Sequence, residues 1–368
     1  MRCSTKRLLA HAPGSALPRP NSRALALAAF GALAATFSFA CGGGQPAITE
    51  CTPNGALTPL CRFQNPEDLA VIGDWLLVSQ FPAGEKPGSL VAFRPSDGAL
   101  RTLYPLDGAA ASEGACADGA PPPAADFAPH GIDLAGTTLL VVNHGGREAI
   151  EEFTLGADEA GPTLAWQRCT ALPEGANAND VAALNAGGFI ATNMIASPQW
   201  LGMLKLALGA NSGELLRFAA GASAWEAVPN TSGRGPNGVE EAPDGAYFIA
   251  EWAAQRLVRI APDGSARAEV PLDFSPDNLS WAADGRLLAT GQRATPLEVP
   301  RCVSVEHGAC SLASVVVAVD PHTLAVTKLV DDDPAATLGA ASVAVEWGGS
   351  LWIGTFAGDR LVKREGTH

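Results

Sequence analysis

The sequence predicts an all-β fold, a six-bladed β-propeller, and two observations carry that prediction. A short hairpin is written six times along the 368-residue chain, at intervals of 40 to 64 residues, and a unit recurring at such spacing is the mark of a propeller. Nearly every copy opens on a polar pair. The openings read Glu67-Asp68-Leu69, His130-Gly131-Ile132, Asn179-Asp180-Val181, Asn237-Gly238-Val239, Asp277-Asn278-Leu279 and Ala341-Ser342-Val343. If the first strand of each unit lines the central channel, all six pairs meet at one end of it.

The elements follow in chain order. Residues 1–40 read as an export signal. Residues 1–23 hold five basic residues and no acid, and Ala24–Ala40 carries no charge, the charged-then-apolar pattern of a secretory leader. At 17 residues that run is marginal for a membrane span. Ala40-Cys41-Gly42 follows, and a small residue before a Cys at this place resembles the lipobox of bacterial lipoproteins, with Cys41 lipidated. Ser38 and Phe39 depart from the usual pattern, and ordinary cleavage with Cys41 incidental is the alternative. Gly42 implies, by the same resemblance, an outer-membrane anchor on the periplasmic side or at the cell surface. Residues 41–59 then form a tether and 60–368 the propeller.

Within the propeller each opening leads through a tight turn into a second apolar strand. The turns are Gly73-Asp74, Gly136-Thr137, Gly187-Gly188, Asp244-Gly245, Asp284-Gly285 and Gly348-Gly349, a composition suited to hairpins. The return strands are Trp75–Ser79, Leu139–Asn143, Phe189–Thr192, Tyr247–Ala250, Leu287–Thr290 and Leu351–Thr355. Three long inserts fall on the face where these hairpins open: 106–127 between blades 1 and 2, 194–209 within blade 3, and 294–312 within blade 5. The blade-3 insert carries Met194, Ile195, Trp200, Leu201 and Met203. This cluster either packs on the sheet or forms an apolar wall over a site.

Removing the five basic residues of the leader lowers the formal net charge from −14 to −19. Nucleic acid and anionic lipid surfaces are therefore not expected as partners, since both reward positive charge. Membrane contact is expected only through the lipid anchor. Six cysteines remain after Cys41, and an even count in an exported chain suggests disulfides whose connectivity sequence alone leaves open. The expected pairing is Cys51–Cys61, Cys302–Cys310 and Cys116–Cys169.

The oxygens converging on the channel come from Glu67, Asp68, Asn179, Asp180, Asn237, Asp277 and Asn278. Carboxylate and amide donors without thiolates suit a hard cation, calcium above all. A single Asp or Asn here would ordinarily be a turn former or strand cap, but four of six repeats carry one at the equivalent place. Adjacent strand residues point to opposite faces, so the two members of a pair can serve two ions, one above the other. His130 opens blade 2 and His144 closes its second strand, which places them opposite one another, within about 4.5–5.5 Å. They are either a general base with its partner or polar residues at a strand end.

These residues resemble a known family. Asn65-Pro66-Glu67-Asp68-Leu69, Pro129-His130-Gly131-Ile132, Leu140-Val141-Val142-Asn143-His144 and Asn177-Ala178-Asn179-Asp180-Val181 are similar in order and spacing to the serum paraoxonases. So are Asn237-Gly238, Ile249-Ala250-Glu251, Leu272-Asp273-Phe274, Asp277-Asn278-Leu279-Ser280 and Ile353-Gly354-Thr355. The wider group holds gluconolactonases and strictosidine synthase-like proteins, all six-bladed propellers. The resemblance implies a catalytic calcium on Glu67, Asn179, Asn237, Asp277 and Asn278. It implies a second, structural calcium on Asp68, Asp180 and the carbonyl of Ile132, and a catalytic dyad of His130 and His144. Gln292 stands where the family carries a further histidine, and the blade-3 insert lacks the family's aromatic-rich run.

The expected function is a calcium-dependent lactonase or arylesterase acting on a small-molecule lactone or ester. No G-x-S-x-G elbow occurs in the sequence, which argues against a serine acyl-enzyme. The alternative is a non-catalytic, lipid-tethered propeller that binds a ligand or partner, with calcium purely structural. Sugar-lactone hydrolysis by the metal alone is a third reading.

Overall fold

Residues 47–105, 116, 119–196, 198–295, 298–302, 305 and 307–366 are described in the computed structural model. The leader and Cys41 lie outside them, as does most of the 106–127 connection.

Six four-stranded antiparallel sheets follow one another along the chain. Blade 1 is Pro66–Ile72, Trp75–Gln80, Ser89–Arg94 and Ala99–Tyr104. Blade 2 is Pro129–Ala135, Thr138–Asn143, Ala149–Asp158 and Gly161–Ala171. Blade 3 is Ala178–Ala183, Gly188–Asn193, Glu214–Ala219 and Glu226–Ala227. Blade 4 is Pro236–Glu241, Tyr247–Glu251, Arg256–Ile260 and Ala268–Pro271. Blade 5 is Ser275–Trp281, Leu287–Arg293, Ala313–Val319 and Val326–Asp332. Blade 6 is Ala341–Trp347, Ser350–Thr355 and Arg360–Glu365, completed by Leu57–Cys61 from the other end of the chain. The first strand of each blade packs on the first strands of its two neighbours, so these six strands ring the channel.

Apolar burial explains why the blades hold together. Second strands such as Trp75–Gln80 and Ser350–Thr355 are buried along their whole length, and they read as continuous apolar runs because both faces are covered by neighbouring blades. The core is accordingly divided into clusters between blades. Phe248, Ala250 and Leu257 of blade 4 pack on Leu279, Ala289 and Val315 of blade 5, and Leu77 and Leu90 of blade 1 pack on Ile132, Val141 and Phe153 of blade 2.

Two segments expected in the tether are strand instead. Leu57–Cys61 pairs with Arg360–Glu365, because the C-terminal end supplies only three strands of blade 6. Ala47–Ile48 pairs with Ala309–Cys310 of the blade-5 insert. The fully buried Arg360 fixes this arm by donating to the carbonyls of Ile48, Glu50 and Thr337.

The opening pairs depart from regular strand in every blade. A β-bulge falls at each of them, between Pro66 and Asp68, Pro129 and Ile132, Ala178 and Val181, Pro236 and Val239, Pro276 and Leu279, and Ala341 and Val343. Bulges re-aim side chains next to functional sites. Here the first residue of a pair turns to the end of the channel, and the second is free to reach the next blade. Asp68 accepts from the backbone N–H of Ile132 and Asp180 from that of Val239, stitching blade 1 to 2 and blade 3 to 4. Gly131 answers this close approach, since a Cβ there would lie 2.3 Å from Asp180 Oδ1 and 2.7 Å from its Cα. Gly131→Ala is expected to destabilise the fold by about 1–3 kcal/mol, as overpacking does; urea unfolding reads this, and an unchanged midpoint would refute the close approach.

The three disulfides are Cys51–Cys61, Cys116–Cys169 and Cys302–Cys310, as expected from the sequence. They suggest an extracellular or periplasmic location. Among the described residues no helix is long and apolar enough to cross a membrane.

Candidate active site

The bulged openings place Glu67, His130, Asn179, Asn237 and Asp277 on the floor of one cavity of about 1140 Å³. Its walls come from segments that a propeller does not need. Phe81–Lys86 of blade 1, Met194, Ile195, Met203 and Leu206 of blade 3, and Val299, Cys302 and Val305 of blade 5 line it, with Trp252 and Phe356. The blade-3 insert contains a helix, Gln199–Ala207, which brings Met203 and Leu206 to the wall. Of the apolar cluster read in the sequence, Met194, Ile195 and Met203 form the wall, whereas Trp200 is exposed and neither it nor Leu201 lines the cavity.

On the floor, four side-chain oxygens are buried and accept no hydrogen bond among the described residues: Glu67 Oε2, Asn179 Oδ1, Asn237 Oδ1 and Asn278 Oδ1. Leaving a buried acceptor unsatisfied costs about 1–3 kcal/mol each, so four of them together require an explanation. Their other polar atoms are engaged. Asn278 Nδ2 donates to Glu67 Oε1 at 2.8 Å and to the Glu67 carbonyl at 3.2 Å, and Ser342 Oγ donates to the same carbonyl at 2.6 Å. These bonds join blades 5 and 6 to blade 1. Asp277 Oδ2 accepts from Gln292 Nε2 at 2.5 Å.

Burial, then Asp68 and Asp277 nearby, pushes the Glu67 carboxyl well above its usual range. Burial likewise pushes Asp277 up to about 7. Among the described residues no group of three or more His, Cys, Asp or Glu side chains converges to hold a metal by itself. The set on this floor is instead two carboxylates and three amides. That donor set fits a hard cation, which would satisfy the orphaned oxygens and offset the buried charge.

Asn278, second in its pair, joins the floor set through Glu67, but Asp68 and Asp180 are engaged differently. Asp68 accepts from the backbone N–H groups of Leu69 and Ile132, and Asp180 from those of Val181 and Val239. Asp133, which the sequence reading missed, makes the corresponding stitch from blade 2 to Ala183 of blade 3. Burial pushes Asp68 up to about 8, and burial raises Asp133, Asp180 and Glu240 as well. No oxygen of Asp68 or Asp180 is among the orphaned ones. The two layers therefore differ: open acceptors at the cavity, acceptors engaged by backbone beneath it.

His130 Nδ1 and His144 Nε2 are 3.0 Å apart. The strand register does not put the two directly opposite, because the bulge pairs Pro129 with Asn143 and leaves His144 just past its strand. His144 Nδ1 is 2.8 Å from Glu148 Oε2, a third member absent from the sequence reading. Since a carboxylate only accepts, the chain fixes the tautomers. His144 donates through Nδ1 to Glu148 and accepts through Nε2 from His130 Nδ1, which leaves His130 Nε2 with its lone pair. That nitrogen is 3.5 Å from Asn179 Nδ2 and 3.7 Å from Glu67 Oε1. Burial first, and His144 second, holds His130 well below the ordinary histidine range. The ring is therefore neutral near pH 7 and its contact with Glu67 is not an ion pair. Phe81 covers it, with ring centroids 4.8 Å apart.

No protein-family model matches the chain, and no curated protein matches it in sequence. Solved structures match it in fold. A gluconolactonase from Xanthomonas campestris is 17% identical with a TM-score of 0.52, covering 88% of this chain and 95% of its own. A putative gluconolactonase is 16% identical with a TM-score of 0.51, covering 89% and 94%. The virginiamycin B lyase of Staphylococcus aureus is 14% identical with a TM-score of 0.50, covering 83% and 98%. At these identities the likeness shows the shared propeller, and function has to be argued from the site.

Proposed function

We propose that the chain is a calcium-dependent hydrolase of lactones or aryl esters. The observation that carries this reading is the set of four orphaned buried oxygens beside a neutral histidine whose Nε2 lies against two of the residues that bear them, 3.5 Å from Asn179 Nδ2 and 3.7 Å from Glu67 Oε1. Glu67, Asn179, Asn237, Asp277 and Asn278 would hold the cation. When bound, it would supply Lewis-acid polarisation of a carbonyl and offset the negative charge that develops on its oxygen. His130 Nε2 takes a proton from the attacking water and returns it to the leaving oxygen as the acyl C–O bond breaks, which restores the base. His144 and Glu148 keep that nitrogen unprotonated and aimed at the floor, and share the charge the ring acquires. A second, structural cation is proposed on Asp68, Asp180 and the carbonyl of Ile132; the support is the group of buried carboxylates there, each raised in pKa.

The cavity walls favour a substrate with an aliphatic or aromatic body over a polar aldonolactone, since Phe81, Met194, Ile195, Met203, Leu206 and Trp252 offer few polar partners for sugar hydroxyls. For location, the proposal is an exported chain anchored through a lipid on Cys41.

A panel of aliphatic lactones, aldonolactones and aryl esters tests the reading, assayed with calcium, after chelation and after calcium is restored. Hydrolysis is expected to vanish and return with calcium, fastest on aliphatic lactones. No turnover by folded, calcium-loaded protein would leave the non-catalytic binding propeller as the better account.

A further inference from the structure

Gln292 is fully buried at the end of a blade-5 strand, and every hydrogen-bonding direction its amide uses is specified. Nε2 donates to Asp277 Oδ2 at 2.5 Å and to the Ala341 carbonyl at 2.9 Å. Oε1 accepts from Trp252 Nε1 at 3.1 Å. An indole N–H can only donate, while a carboxylate and a carbonyl can only accept, so the amide has one possible orientation. One side chain thus ties Trp252, just past the second strand of blade 4, and the opening of blade 6, at Ala341, to the carboxylate of Asp277. The bulge between Pro276 and Leu279 brings Asp277 to it, beside the pair Ser275 and Gln292.

Gln292 does not itself line the cavity, whereas Trp252 and Asp277 both do. A group filling space alone could be a Leu or Met. The amide is needed only if Asp277 has to be held in one rotamer.

We propose that Gln292 is a positioning residue that fixes Asp277 as a ligand of the cation site, with Trp252 fixing the amide in turn. The inference rests on the calcium reading above. With Oδ2 engaged, the other carboxylate oxygen of Asp277 is presented to the cavity floor without rotational freedom. Partners that orient a ligating carboxylate typically change metal affinity 10–100-fold when lost.

The test is calorimetric titration of the chelated full protein with calcium alone, comparing wild type, Gln292→Met, Gln292→His and Trp252→Phe. Gln292→Met keeps the bulk and loses the donor, and should weaken calcium binding by about 10–100-fold. Gln292→His keeps a ring N–H for Asp277 and should retain most of the affinity. Trp252→Phe removes the one donor that orients the amide and should cost about 2- to 10-fold, the range of a neutral hydrogen bond.

Wild-type affinity in Gln292→Met, or equal losses in the Met and His variants, would overturn the inference while leaving the calcium reading intact. A wild type that takes up no calcium would overturn both. If Gln292→Met melts far below wild type in chelator, Trp252→Phe decides: unchanged affinity there also overturns the proposal.

Discussion

His130→Gln is expected to lower kcat for the preferred lactone by about 10²–10⁴-fold, the range a positioned general base contributes. The expectation follows from the proton inventory of three side chains. Glu148 and His144 leave His130 Nε2 as the unprotonated ring nitrogen that the other histidine does not occupy, and that nitrogen faces Glu67 and Asn179. Glutamine roughly fills the space but cannot take up a proton near neutrality. KM should change little, because the apolar walls that would bind the substrate body are untouched. His144→Gln should cost less, since it orients the base without contacting the water. Steady-state kinetics on the lactone panel reads all of this. A loss under tenfold in His130→Gln would remove the base and leave hydrolysis by the metal alone.

Asn237→Ala should abolish hydrolysis and calcium uptake at the cavity floor, while the second proposed site keeps its ion, with a stability signature that separates the loss from misfolding. Asn237 Oδ1 is buried without a donor while its amide N–H bonds Asp277, so the variant should lose modest stability in chelator and, beyond that, the part of the calcium-dependent gain that comes from the floor site. Calcium should stabilise the wild type more than the variant, the floor site contributing about 2.7 kcal/mol at a hundredfold excess over its dissociation constant. Thermal unfolding with and without chelator measures both quantities. A variant that gains as much stability from calcium as the wild type would show that Asn237 is not a ligand.

Much of the fold and part of the site are legible in the sequence, for reasons particular to certain residues. The six hairpins can be read because polar openings, Gly-containing turns and apolar return strands recur in one order. Glu67, His130, Asn179, Asn237 and Asp277 come together because each stands first in its opening. The bulges cannot be read, since they depend on how blades pack, and so the register of His130 and His144 was displaced although the contact between the rings was not. Glu148 lies past the strand that ends at Asn143, where no periodicity indicates which way a side chain turns. The bonds joining Trp252, Gln292 and Asp277 cross two blades, beyond the reach of local pattern. The closing strand at Leu57–Cys61 carries no polar opening, so nothing in the repeat announces it.

That closing strand also bears on the order in which the chain is made. Leu57 pairs with Arg364 and Cys61 with Arg360, so an early strand to emerge from synthesis has to wait for the last one before its backbone is satisfied. Closing a loop that long costs entropy before any contact rewards it, and the ring cannot seal while the C-terminal residues are still being delivered. The two ends of the domain finish as neighbours in one sheet. A short linker joining them, with new termini cut at an exposed hairpin, should yield a circular permutant of the same propeller whose strands can seal in a different order.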